Sequence, residues 1–268
     1  MTGLAVALAL CVGLSLGLLG GGGGILALPI FVYALGVEPK SAVAMSLAVV
    51  GATSFVGFLS HRRQYGVDVR SALTFGAFAM IGSFAGARLS RFVPASAQLT
   101  LFAVVAALAA GAMWRNASRE SGRKPTTIPP GAGRPRPPAP LRSPDALDAR
   151  RLPLMAAEAL GIGLLTAVVG AGGGFLIVPV LVVLAGLEMR AAIGTSLLVI
   201  TMNTLSGLAG YLGQVPIHWR LVAPFSLIAI AGALIGTRFV RHVPQRRLKQ
   251  AFAALILGVS VYVIYRRF

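Results

Sequence analysis

Two glycine clusters and a few neutral polar side chains are the residues whose types and spacing could do chemistry. Gly22-Gly23-Gly24-Ile25 lies between apolar runs, and Gly172-Gly173-Gly174-Phe175 does the same farther along. Glycine is poor in a helix interior, so several together should interrupt a helix. A helix that restarts after them leaves its first N–H groups unpaired and carries partial positive charge at that end. With no side chains in the way, a ligand can approach those groups closely. Helix ends near Ile25 and Phe175 are therefore expected to hold an anion without a buried Lys or Arg. The competing reading is that these glycines only let helices pack tightly.

Polar groups inside the apolar runs repeat a spacing. Ser46 and Thr53 are seven residues apart, and so are Ser196 and Asn203. That separation puts each pair on one helix face. Hydroxyls and an amide can donate to an oxyanion and shield it from lipid. Against this, Ser and Thr in such helices often bond their own i−4 carbonyl. Asn203 is the costliest of the four to bury unpaired, so it carries the most weight. Gln64 and Gln214, Arg88 and Arg238, and Glu38 and Glu188 stand at or beyond the ends of the runs. They read as vestibule or interface residues.

Catalytic chemistry finds no foothold. No Asp or Glu lies mid-run; Glu158 is nearest, a few residues inside its run. His61, His218 and His242 are scattered, and Cys11 is a lone cysteine with no metal-type spacing. No phosphate-binding motif is present. We expect neither an enzyme nor a metal, and no cofactor.

The elements that must position these residues are long and apolar. Of the 268 residues, 56% are hydrophobic and 12% are charged, about half the charged share of a soluble domain. A span needs ~20 mainly apolar residues. Leu4–Leu19, Ala42–Ser60, Ala72–Ala87, Ala97–Trp114, Ile193–Leu212, Leu221–Thr237 and Ala251–Tyr265 approach that length, and Leu154–Leu187 exceeds it with glycine interruptions. The expected class is all-α and polytopic in a lipid bilayer, in the cell inner (plasma) membrane. Leu4–Leu19 follows an uncharged start and is read as part of the mature protein rather than a signal peptide. The net charge of +17 does not indicate nucleic acid, because its Lys and Arg punctuate apolar runs. They read as topology signals and contacts to anionic lipid.

The two glycine clusters belong to a repeat at an offset of 150. Gly22–Pro29 recurs as Gly172–Pro179, and the offset holds without a gap through Glu38/Glu188, Ser46/Ser196, Gln64/Gln214, Gly82/Gly232, Arg88/Arg238 and Pro94/Pro244. Between Gly20 and Pro94, 24 of 75 positions are identical to their partners. Shared apolar composition does not place Glu, Gln, Arg and Pro at one constant spacing. This divides the chain into a first membrane repeat, 1–114, a Pro- and Arg-rich linker, 115–152, and a second repeat, 153–268. The linker has little apolar surface to bury and is expected to be disordered.

Each repeat opens with a glycine-cut run and continues with three spans. Either the cut run crosses as one broken span, or it folds back as a re-entrant hairpin. Backbone freed within the membrane must then face protein or a water-filled cavity. A hairpin leaves three crossings per repeat, and an odd number inverts the second repeat. Under that geometry one side collects 18 of the 24 Lys and Arg, whereas a broken span splits them 15 to 9. The positive-inside bias favours the inverted hairpin and makes the linker cytoplasmic under either geometry.

The Gly-rich stretch with its apolar arm and Pro, then G-x-E, an A-x-x-x-S-L helix and G-x-x-x-G-x-R, occurs in both halves. This pattern resembles the TauE/SafE sulfite exporter family, also called the TSUP permeases. It covers Leu14–Phe102 and Leu164–Phe252, and the family's Gly-Gly-Gly…Pro segments map onto Gly22–Pro29 and Gly172–Pro179. The resemblance implies transport of small sulfur-containing or organic anions such as sulfite or sulfonates. The long linker departs from the family's shorter connection. The expected function is secondary transport of a small anion by alternating access between the repeats; a passive anion channel or structural subunit is the alternative. Expected substrate contacts are Gly22, Gly23, Gly24, Ile25, Ser46, Thr53, Gly172, Gly173, Gly174, Phe175, Ser196 and Asn203.

Overall fold

The computed structural model describes residues 3–20, 24–62, 67, 69–120, 152–170, 174–183 and 189–240, with some positions between 250 and 265. Every regular element described is helical: α1 (Gly3–Leu19), α2 (Gly24–Pro29), α3 (Pro39–Arg62), α4 (Val69–Leu89), α5 (Ala95–Glu120), α6 (Leu152–Val169), α7 (Gly174–Val183), α8 (Met189–Tyr211) and α9 (Trp219–Val240). Pro39–Arg62, Ala72–Phe92, Ala192–Tyr211 and Trp219–Phe239 are long and apolar enough to cross a bilayer. The α5 helix runs on to Glu120, past the expected repeat boundary at Trp114, and most of the expected linker, 121–151, lies outside the described residues. The cut runs do break: α1 ends at Leu19 and α2 restarts at Gly24, while α6 ends at Val169 and α7 restarts at Gly174.

Local sequence explains the first return arm. Pro29 brings no N–H to the helix ladder, and a π-helical turn over Ile30–Ala34 follows it. Leu35 N–H bonds Ile30 O at 3.0 Å, the i→i+5 pattern of that turn. Gly36, at φ +66°, then turns the chain out of the helix. Glu38 stands at the N-cap of α3, its carbonyl accepting Ala42 N–H at 2.8 Å, and Pro39 takes the first helical position, where a missing N–H costs nothing.

Packing follows one scheme used twice. Gly13 and Gly17 of α1 rest on the carbonyls of Ala229 and Ala233 of α9. Gly163 of α6 rests on the carbonyl of Ala79, and Gly82 and Gly86 of α4 rest on those of Leu160 and Leu164. Gly13 and Gly163, like Ala229 and Ala79, are partners at the offset of 150. Small residues four apart bring the backbones close, which is how helices associate without a hydrophobic driving force in lipid. In both pairs the contacts climb together, so α1 runs parallel to α9, and α6 parallel to α4.

At the centre α3 crosses α8. Gly51 meets Thr204, Gly57 meets Leu197, and Gly207 meets Leu47. These numbers fall on one helix as they rise on the other, so α3 and α8 are antiparallel. Ser83 Oγ donates to Asn203 O at 2.8 Å and Ser206 Oγ to Met80 O at 2.7 Å. Gly76 of α4 meets Met202 and Gly210 of α8 meets Ala87, numbers that rise together, so α4 runs parallel to α8. Ala42 to Val50 of α3 and Ala192 to Ile200 of α8 are almost wholly buried. Phe55, Leu59, Leu73, Ile81, Phe84, Leu205, Leu227 and Leu234 are exposed on the outside. This is the arrangement of a membrane protein, with lipid as the outer solvent.

Candidate functional site

The glycine breaks are seated on the opposite half's central helix. Gly170, at φ +77°, occupies the left-handed region that glycine enters without strain. A Cβ there would lie 2.5 Å from Val43 of α3. Ser46 sits one turn on, and its hydroxyl contacts both Val43 O, at 2.8 Å, and Gly170 O. A carbonyl left over at the end of α6 is thus met by a side chain of α3. Gly20, at φ +68°, repeats the posture. A Cβ on it would come within 3.2 Å of Ile193 and of Ser196 Oγ of α8. Ser196 itself bonds Ile193 O at 2.9 Å. Gly20 and Gly170, Val43 and Ile193, and Ser46 and Ser196 are all partners at the offset of 150.

Of the expected contacts, Gly24, Ile25 and Gly174 begin α2 and α7 and are buried. Gly22, Gly23, Gly172 and Gly173, and the side chain of Phe175, lie outside the described residues. The two breaks are not brought face to face. Ser196 precedes Leu197, which lies level with Gly57 of α3, whereas Gly170 lies level with Val43 and Ser46. Eleven residues separate Ser46 from Gly57, or about 17 Å at 1.5 Å per residue.

Midway between the breaks is a layer of polar side chains. Thr53 of α3 is buried and bonds its own Val49 O at 2.7 Å. Thr201 and Thr204 of α8 do likewise, with Leu197 O and Ile200 O, each at 2.7 Å. These three hydroxyls spend their protons within their own helices, as the bland expectation held. Asn203 differs. It is fully buried, and its Nδ2 donates to Thr166 Oγ1 of α6 at 2.7 Å. The Thr166 hydroxyl donates to Gly163 O at 2.9 Å. Asn203 Oδ1 is buried and has no partner, and the same holds for Ser54 Oγ of α3, within a turn of the crossing. The layer is one-sided: the position matching Thr166 is Leu16, and the one matching Asn203 is Thr53.

Thr166 and Ser83 were not singled out from the sequence. The available signal was a hydroxyl inside an otherwise apolar run, at Thr166, and one inside Gly82-Ser83-x-x-Gly86. Neither points at Asn203 until the helices are packed. Tyr211 and Gln214 close the end of α8: Tyr211 OH donates to Ala167 O at 3.0 Å, and Gln214 Nε2 donates to Ala87 O at 3.3 Å. At the same end, just past Ala87, Lys40 Nζ donates to Arg91 O at 3.2 Å, Arg88 stacks over Phe84 and Arg91 over Phe92. Among the described residues no buried Lys, Arg, Asp or Glu is found, and no three His, Cys, Asp or Glu side chains gather as metal ligands do. A separate cavity of 250 Å³, lined by Leu8, Leu26, Pro29, Ile30, Ala34, Gly258 and Val259, is apolar and suits a hydrocarbon chain rather than an anion.

Comparison with known proteins agrees with this architecture. The family described as "Sulfite exporter TauE/SafE" matches residues 5–263. A "Probable membrane transporter protein" of Xylella fastidiosa (strain 9a5c) is 29% identical over 258 residues, covering 95% of this chain and 92% of that protein. The "Probable membrane transporter protein YdhB" of Bacillus subtilis (strain 168) is 25% identical over 248 residues, covering 89% of this chain and 90% of the relative. No solved structure matches.

Proposed function

The chain belongs to the sulfite exporter TauE/SafE family, a family of transporters rather than enzymes, and on that premise we propose that it carries a small sulfur oxyanion or sulfonate by alternating access between two inverted repeats. Each repeat comprises a hairpin and three spans. In the first the hairpin is α1 with α2, in the second α6 with α7. The helix directions support this. With α3 and α8 antiparallel and α6 and α8 both parallel to α4, the α6–α7 pair must turn back before α8 begins. The same reasoning applies to α1 and α2 through α9. Three crossings per repeat invert the second repeat, in agreement with 18 of 24 basic residues on one side.

The observation that carries the reading is the reciprocal seating of each break on a serine of the other repeat: Gly170 on Ser46 and Gly20 at Ser196. A helix end at each break offers bare N–H groups to an anion. With the linker cytoplasmic, the break at Gly170 lies toward the outside and that at Gly20 toward the cytoplasm. The anion passes from one to the other through the layer at Asn203. Rocking of the hairpins against α3 and α8 opens one side at a time, as in other inverted-repeat carriers.

Substitution of the glycines tests the helix-end contacts. Gly23→Val and Gly173→Val add bulk and disfavour positive φ without altering charge. Anion binding to monodisperse protein should weaken in both. Normal affinity in both would remove the helix ends from the site. Should both variants aggregate, the Gly→Ala pair provides the same comparison with less bulk.

A further inference from the structure

The hydrogen bonds around Asn203 specify a property of the substrate. Thr166 has one hydroxyl proton, and it is directed at Gly163 O, 2.9 Å away. Toward Asn203, 2.7 Å away, Thr166 Oγ1 can only accept. The side of the amide facing Thr166 must therefore be the donor, Nδ2. This fixes the orientation of a group whose oxygen and nitrogen are otherwise hard to tell apart. Oδ1 is then held on the far side, buried and without a partner. Asn203 stands next to Thr204, the residue that meets Gly51 of α3 where α3 crosses α8, at a level between the two breaks.

An unmet carbonyl oxygen is an acceptor, and a fully deprotonated oxyanion has only acceptors to offer it. The two would repel. A buried site with no Lys or Arg among the described residues also resists a dianion, because the cost of desolvating an ion rises steeply with its charge. Building on the anion-carrier reading above, we infer that the transported species is a monoanion bearing its own hydrogen-bond donor, and that Asn203 Oδ1 accepts from it. The class comprises singly protonated oxyacids, such as hydrogensulfite, and sulfonates carrying a hydroxyl or amino group. Thr166 is the positioning residue that turns the acceptor toward the substrate. The second repeat alone carries this pair, so the donor is read on one side of the pathway's centre.

The test is competition against uptake of radiolabelled sulfite in proteoliposomes of the full chain. The probes are ethanesulfonate and 2-hydroxyethanesulfonate, a pair differing by one donor group. Wild-type protein should prefer the hydroxylated sulfonate by about tenfold, the usual consequence of leaving one buried acceptor unmet. Sulfite affinity should also rise as pH falls through the range where sulfite gains its proton. Asn203→Leu should abolish the preference between the two sulfonates. Thr166→Val, close in shape to the native residue, should shrink that preference by freeing the amide to flip. Equal competition by the two sulfonates in wild-type protein would overturn the inference while leaving the anion carrier standing. Absence of saturable uptake of any anion would overturn the carrier reading itself, and this inference with it.

Discussion

Leaving Asn203 Oδ1 buried without a donor costs about 1–3 kcal/mol, a large toll for a group that Leu would replace without penalty in lipid. The proposed role in the anion pathway gives that cost a reason, since polar groups inside a membrane protein often mark a substrate path. Asn203→Leu should therefore cut anion uptake at least tenfold at equal protein abundance while the melting temperature holds or rises. Thr100→Val, on an exposed stretch of α5 where the hydroxyl only bonds Ser96 O, should leave uptake near wild type. Uptake by Asn203→Leu matching that of Thr100→Val would take Asn203 out of the pathway. The sequence made Asn203 conspicuous because an amide is rare inside an apolar run. It was silent on Thr166, since a threonine that satisfies its own helix is commonplace and only the packing of α6 against α8 makes it a partner.

The elements are held by close backbone approach, and that makes two further outcomes specific. A Cβ at Gly82 would overlap the carbonyl of Leu160, and backbone cannot move aside as a flexible side chain can. Gly82→Ala should destabilise the detergent-solubilised protein by about 1–3 kcal/mol or more. Gly161→Ala, where a Cβ meets open space, should leave the melting temperature unchanged or slightly higher, because Ala is the better helix former. The antiparallel crossing is tested by chemistry. A Cβ at Gly51 would stand 3.5 Å from Thr204 Cβ, within the range that a disulfide spans. In a Cys11→Ser background, Gly51→Cys with Thr204→Cys should cross-link on mild oxidation, and Gly51→Cys with Leu197→Cys should not. The reverse pattern would refute the register. The glycine clusters predicted the breaks, whereas the pairing of contacts at the offset of 150 emerges only from the packed helices. Arm length bears on the depth of the breaks: the apolar run Leu4–Leu19 makes a helix of about 24 Å. An arm that long carries its tip well past the midplane of a hydrocarbon core ~30 Å thick, so two such tips pass one another rather than meet.

For the whole molecule, charge and fold make one statement about sidedness. The proposed inverted hairpin would put the linker, the segment after Arg62 and the segment around Arg246 together on the cytoplasmic side. A cysteine introduced at Ser143, again without Cys11, should resist an impermeant thiol reagent added to intact cells. Cysteines near Arg62 and Arg246 should behave alike; opposite labelling would rule out the inversion. The sequence suggests this topology because basic residues bias the direction of insertion. It could not give the one-sided polar layer, which depends on which hairpin lies against which span. Function at this scale turns on carrier against channel. A carrier binds its anion and exposes it to one side at a time, so its flux saturates and is accelerated by the same anion on the far side. The most direct test is sulfite counterflow in proteoliposomes of the purified chain. Saturable uptake that is stimulated by sulfite trapped inside is the predicted result, and flux that rises linearly with concentration and ignores the trapped anion would contradict alternating access.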